Sequence, residues 1–174
     1  MAVVTLVATW GGETSNSYVT LTDANSIAAT TMASSLWFSY DDEKRSQALL
    51  RACRDIDSRP WLGEPLFLRQ ALAFPRSLSL SFRFSLTDVS SFSIDLERQK
   101  KYVPEAQVYQ AIYRLAQIGQ PDVLNAQQRG TLSISVSGGT VTHSIASTGT
   151  GHVLSYEAAA LLREWKRGPR LLRG

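Results

Sequence analysis

One cysteine and two histidines in 174 residues leave this chain short of reactive side chains. A single Cys53 excludes a disulfide within the chain and any thiolate metal cluster built from one copy. It falls in the helical stripe Leu49, Ala52, Cys53, Ile56, which predicts a small buried hydrophobe. No stretch approaches the ~18 consecutive apolar residues of a membrane span. The opening Met1-Ala2-Val3-Val4-Thr5 also lacks the positive flank and cleavage pattern of a signal peptide. The expectation is a soluble protein made in a cytoplasm, with no membrane partner. Charge is sparse too: 19% charged against 44% hydrophobic residues fits one domain with an ordinary core.

The charge that is present is unevenly placed. Arg163, Lys166, Arg167, Arg170 and Arg173 face only Glu157 and Glu164 after residue 154, so the whole net charge of +3 lies there and the preceding body is neutral. A neutral body with a basic end predicts one electrostatic contact region and an acidic partner.

The pattern predicts a mainly α protein, a small bundle of about four helices with a β-hairpin and a longer extended arm, within one domain over 1–174. Thr22 or Asp23 caps a first helix running to about Trp37. Asp41 or Asp42 starts a second that runs to about Asp57. Pro60 and Gly63 open a proline-rich loop to Arg76, with Trp61 and Phe74 as plugs onto the helices. Ser77 to Leu86 alternates like a half-buried strand, with a return near Phe92 to Leu96, giving an arm over about 77–101. Pro104 suits the first turn of a third helix, whose Val108, Ala111, Ile112, Leu115 and Ile118 form one stripe, widened by Tyr109, Tyr113 and Ala116. Gly119 and Pro121 end it. A hairpin over about 131–146 turns at Gly138-Gly139, pairing Val136 with Val141, Ile134 with His143 and Leu132 with Ile145. A Gly/Thr linker follows, and Ser155 caps a final helix bearing Ala158, Leu161, Leu162 and Trp165, ahead of a basic tail to 174.

Catalytic chemistry is hard to assemble from these residues. His143 sits among hairpin aliphatics, and His152 lies in the Gly/Thr linker, a poor platform for precise geometry. No zinc or calcium spacing occurs. Gly149-Thr150-Gly151 has Leu154 where a dinucleotide loop needs its third glycine. Asp55 and Asp57, two apart on a helix, point away from each other and make no acid–base pair. No phosphate-binding Gly-x-x-x-x-Gly-Lys is present. The reading is a non-enzyme with no cofactor and no metal. Aromatics beside cations, as single-stranded nucleic acid requires, come together only at Phe82-Arg83-Phe84 and at Arg163-Glu164-Trp165-Lys166-Arg167.

Trp61-Leu62-Gly63-Glu64-Pro65, then Gln70-Ala71-Leu72-Ala73-Phe74-Pro75-Arg76, read with Asn16 to Ala24 upstream and Val103-Pro104-Glu105-Ala106 downstream, resemble the head-to-tail adaptor (head completion, connector) proteins of long-tailed bacteriophages. The same pattern also travels under the description of a DnaT-like single-stranded-DNA-binding protein. The matching positions are Tyr18, Ala24, Asp57, Trp61, Gly63, Gln70, Pro75, Arg76 and Pro104, in structural roles. The stretch after Pro75-Arg76 is longer than in that family. The resemblance implies a virion neck protein assembled in the host cytoplasm as a ring, with twelve copies under the portal and DNA passing the lumen without sequence-specific binding. Its partners would be the portal protein and further neck or tail completion proteins. Arg163, Trp165, Lys166, Arg167, Arg170, Leu171, Leu172 and Arg173 would dock on the portal, and a chain lacking 163–174 would still fold. The alternative is a single-stranded-DNA-binding replication accessory protein.

Overall fold

The structure, a computed structural model, describes residues 5–77, 89–118, 131–136, 139–144 and 154–166. It is mainly helical, as the pattern predicts, with five α-helices and a two-stranded hairpin among those residues. Helix α1 spans Leu21–Ala29 and α2 spans Ser34–Phe38. The single helix expected from 22 or 23 to 37 is therefore two. The break falls at Thr30-Thr31, whose hydroxyls donate to the carbonyls of Ile27 (2.7 Å) and Ala28 (2.8 Å). Those side chains offer the backbone an alternative to the next helical turn. The cap is Thr20, whose hydroxyl oxygen accepts from the Asp23 N–H at 3.1 Å.

Helix α3, Asp42–Asp57, agrees with expectation, and its cap Asp41 accepts from the Lys44 N–H at 2.7 Å. Ala48, Leu49, Ala52, Cys53 and Ile56 are its buried side. Strand β1 (Glu64–Pro65) pairs antiparallel with β2 (Arg76–Ser77), closing the proline-rich loop at its base.

Helix α4 runs Val89–Ala116, 28 residues, and corrects two expectations. The return strand near Phe92 to Leu96 is helix, so residues 89–101 are no extended arm, while 78–88 lie outside the described residues. Pro104 is in the helix interior rather than its first turn. There it can donate nothing to the carbonyl one turn back, a defect tertiary packing must offset. Its neighbours Val103 and Ala106 are fully buried, and that burial supplies the offset.

The first half of the helix was hidden because polar residues take inward positions along α4. Gln99, Val103, Ala106, Gln110 and Gln117 recur at helical spacing and are all buried, a face that hydrophobic periodicity does not register. The buried Gln107 lies beside it. Each of three glutamines ties down an irregular segment. Gln99 accepts from the Arg76 N–H (2.8 Å) and donates to the Arg76 carbonyl (2.9 Å). Gln107 accepts from the Tyr18 N–H (2.8 Å) and donates to Ser17 Oγ (2.8 Å) and the Leu49 carbonyl (2.9 Å). Gln110 accepts from the Ser155 N–H at 2.7 Å. Val108, Ala111, Ile112 and Leu115 are buried as expected, whereas Ile118 and Ala116 are exposed.

Strands β3 (Thr131–Val136) and β4 (Gly139–Ser144) form the expected hairpin in a different register. Val136 pairs with Gly139, Ile134 with Val141 and Leu132 with His143, two residues from the expected pairing. Gly139 belongs to the ladder, and Ser137-Gly138 lie outside the described residues; a shift of two residues keeps each side chain on its face, so the alternation by itself does not choose between the registers. Helix α5, Tyr156–Leu161, is capped by Ser155, whose Oγ accepts from the Ala158 N–H at 3.1 Å, and passes into a 3-10 turn at Arg163–Trp165. Gly119, Pro121, the Gly149-Thr150-Gly151 segment and His152 lie outside the described residues.

Two apolar clusters share α3 and α4. One joins Val19, Ala24, Ala28, Trp37 and Leu49 to Val108 through Leu115; the other joins Tyr18, Cys53, Ile56, Trp61 and Phe74 to Val103, Ala106, Ala158, Leu162 and Trp165.

Candidate functional site

The motif positions singled out in the sequence converge on Phe74. Its ring meets Trp61 (5.2 Å between centroids), Trp165 (6.1 Å) and Tyr18 (6.2 Å), edge-on or tilted, the geometry that ring quadrupoles prefer. The Tyr18 hydroxyl donates to Asp57 Oδ1 and accepts from the Phe74 N–H at 3.1 Å, and the Ala73 N–H donates to the same Asp57 oxygen at 3.2 Å. Trp61 Nε1 donates to the Ile56 carbonyl at 2.9 Å. The Phe74–Pro75 peptide is cis. Arg76 donates from Nε to the Leu62 carbonyl (2.7 Å), from Nη1 to the Ala73 carbonyl (3.2 Å) and from Nη2 to the Gly63 carbonyl. Gly63 has φ +72°, the left-handed conformation that favours glycine. Gln70 accepts from the Phe67 N–H (3.0 Å) and donates to the Leu72 carbonyl (2.7 Å). Tyr18, Asp57, Trp61, Gly63, Gln70, Pro75 and Arg76 thus assemble one rigid loop anchor, Ala24 is in the neighbouring core and Pro104 is in α4.

This centre holds the loop, and three of its ionisable groups are shifted toward their neutral forms. Burial pushes the Cys53 thiol well above its ordinary range, which suppresses the thiolate. Burial, then the neighbouring Asp57, raises the Tyr18 phenol. Burial also raises the Asp57 carboxyl, against the opposing bonds from Tyr18 and Ala73. A carboxyl whose folded pKa lies above its unfolded value of about 3.9 binds protons more tightly in the folded chain, so stability falls as pH rises through that window. Asp57→Asn keeps an oxygen able to accept both bonds and removes the ionisation. Its melting temperature is expected to gain on the parent's as pH climbs above about 4, read by thermal denaturation across pH. A parent that gains on the variant instead would reverse the assignment.

Asp55 forms a second buried centre that the sequence did not reveal. Fully buried, it accepts from Gln110 Nε2 at 2.8 Å and pairs with Arg114 Nε at 2.6 Å, joining α3 to α4 and, through Gln110, to Ser155 ahead of α5. Asp55 and Asp57 do point apart, each to its own partners.

The outward side of α5 is different in kind. Ala158, Leu162 and Trp165 bury one side, which leaves Tyr156, Ala159, Ala160 and Arg163 outward with Lys166 just beyond. Tyr156 is 85% exposed, the most open aromatic among the described residues. Ala159 and Ala160, one turn on, are also exposed and keep that side of the helix low. Glu164 is held by Arg98 of α4 at 2.6 Å, which offsets its charge where it stands. Of the basic and apolar residues expected to dock a partner, Arg163 and Lys166 are exposed, whereas Trp165 is buried against Phe74 and donates from Nε1 to Asp95 at 2.9 Å. Arg167, Arg170, Leu171, Leu172 and Arg173 lie outside the described residues. The expectation that a chain lacking 163–174 would fold is corrected: Trp165 is part of the core. Tyr156 was missed, though its place off the Ala158–Leu162–Trp165 stripe marks it as outward-facing. Among the described residues no three metal-ligating side chains converge, and no helix is long and apolar enough to cross a membrane.

Compared with known families, residues 5–165 match the family described as "Putative DnaT-like ssDNA binding protein". No curated protein and no solved structure matches. The family match overturns the resemblance to phage head-to-tail adaptors, and with it the reading as a virion connector under a portal. Short motifs such as Trp61 to Pro65 and Phe74-Pro75-Arg76 carried that resemblance, and they build a loop anchor, which specifies a fold and not a partner. The portal-docking role given to Arg163–Arg173 loses its support.

Proposed function

Since the chain belongs to this DnaT-like ssDNA binding family, we propose that it is a non-enzymatic protein that binds single-stranded DNA on the outward side of α5 and the turn that follows it. The observation that carries the reading is the exposure of Tyr156, Ala159, Ala160 and Arg163 on the side away from Ala158, Leu162 and Trp165, flanked by exposed Glu157 and followed by exposed Lys166. An open aromatic ring about two helical turns ahead of two exposed cations offers the two needs of such a ligand, a stacking platform for an unpaired base and counter-charge for phosphates. Small residues between them keep the helix from holding the base away. The sequence beyond Lys166 adds Arg167, Arg170 and Arg173, so the net positive charge of the chain is concentrated at this end. That concentration favours an acidic polymer over a small neutral ligand.

The test is fluorescence anisotropy of a labelled oligo-dT titrated with protein over a range of salt. Arg163→Ser with Lys166→Ser is expected to flatten the slope of log K against log salt by about 1.4, for two lost phosphate contacts on a single strand. Tyr156→Ser is expected to weaken binding by about 5- to 150-fold while leaving that slope unchanged. Both variants alter exposed side chains and should melt like the parent. Failure of the parent protein to bind oligo-dT at low salt, or variants that bind as it does, would refute the reading.

A further inference from the structure

The loop between β1 and β2 ends in a group that the anchor does not use. Phe67 is 49% exposed and Leu68 fully so, with Leu62 exposed at the loop's start. Large apolar side chains this open usually sit on yielding segments, but this loop is tied along its length. The Leu66 N–H donates to the Pro75 carbonyl (3.0 Å), the Ala71 N–H to the Gly12 carbonyl (3.1 Å), and Gln70 and Arg76 add the bonds described above. Phe67 is seated against Gly11: a Cβ built there would lie 2.4 Å from Phe67 Cδ2 and Cε2, and Gly11 has φ +71°. Only glycine permits that approach.

The base of this loop is joined to the proposed DNA surface. The Leu62 N–H donates to the Trp165 carbonyl at 2.7 Å, and Trp61 forms an antiparallel bridge with Lys166. Leu62 therefore adjoins Lys166, and Phe67 lies at most roughly 17 Å further along the chain. Charge divides the labour. Arg69 at the tip faces Glu13 at 3.8 Å, and Glu64 lies in the same loop, so the tip has little net charge to offer phosphates. What it offers is apolar area and one ring.

From this placement, and resting on the function proposed above, we infer that Phe67 and Leu68 are a second contact for the same DNA, taking further unpaired bases beyond the one stacked on Tyr156, and that this contact adds to the selectivity of binding for single over double strands. Stacked pairs in a duplex present no free base face, whereas every unpaired base does. A preorganised tip pays little conformational entropy when a base settles on it. Arg163 and Lys166, in and just after the turn that follows α5, meet phosphates in either form, so they contribute affinity without this discrimination.

The experiment measures binding of the full chain to oligo-dT and to a duplex of equal length, at one salt concentration. Phe67→Ser with Leu68→Ser is expected to lower oligo-dT affinity by about 5- to 150-fold and to change duplex affinity less than twofold. Leu68→Ser alone, at a fully exposed position, guards against a folding defect and should give a smaller loss of the same kind; Phe67→Tyr should bind like the parent. Unchanged oligo-dT affinity in the double variant, with Tyr156→Ser still weakened, would overturn this inference and leave the α5 site standing. Equal losses on both DNA forms would also overturn it. So would a double variant that keeps oligo-dT binding but loses self-association in sedimentation, which would make the tip a protein contact. A parent that binds no oligo-dT would remove both readings together.

Discussion

Trp165→Ala is expected to lower the free energy of unfolding by about 3–5 kcal/mol, the usual consequence of emptying a site filled by a buried indole. Two features place it at the upper end. Its ring is buried against Phe74, which also carries Trp61 and Tyr18. Its Nε1 donates to Asp95 at 2.9 Å, so truncation leaves that carboxylate without the bond. The Trp165 carbonyl, which holds the Leu62 N–H and thereby the start of the proline-rich loop, survives this substitution and is lost only when the chain is cut before it. Since a domain of this kind has about 5–15 kcal/mol in all, a chain ending at Leu162, which also loses the Leu62 bond, should unfold at a much lower denaturant concentration. Chemical denaturation reads both results. An unchanged midpoint for Trp165→Ala would mean that the indole only rests on the surface of the core.

Asp55→Ala is expected to destabilise by a similar amount, about 3–5 kcal/mol, for an electrostatic reason. The carboxylate is fully buried between Gln110 and Arg114, and the Arg114 side chain is only 13% exposed. Removing Asp55 strands a guanidinium in a place with little water, so most of the loss is the uncompensated charge rather than the bond itself. Asp55→Ala combined with Arg114→Met should accordingly recover part of the loss. A double-mutant cycle in denaturant measures the coupling. If Asp55→Ala cost less than about 1 kcal/mol, or the second change made matters worse, the pair would be solvated rather than buried.

Helix α3 was legible from Asp41 to Asp57 because capping residue, first-turn acids and apolar stripe all agree locally. Ser155 as a cap, Cys53 as a buried residue, and Trp61 and Phe74 as plugs were legible for the same reason. Helix α4 was legible only in its second half. In its first half Asp95 and Gln99 occupy inward positions, satisfied by Trp165 and Arg76, residues 70 and 23 positions away in sequence. Nothing within a helical turn of either announces those partners.

By itself, the sequence determined the class of this protein: mainly helical, with a packed proline-rich loop, a hairpin and a positive end, because capping, periodicity, turn chemistry and charge act over a few residues. Only the tertiary structure decided which polar residues turn inward and which apolar ones stay outside. Gln107 and Asp55 can be buried because distant segments supply their hydrogen-bond partners, and Phe67 and Tyr156 remain open because no segment among the described residues covers them. Burial of a polar group depends on partners brought together by folding, and a linear pattern cannot specify them.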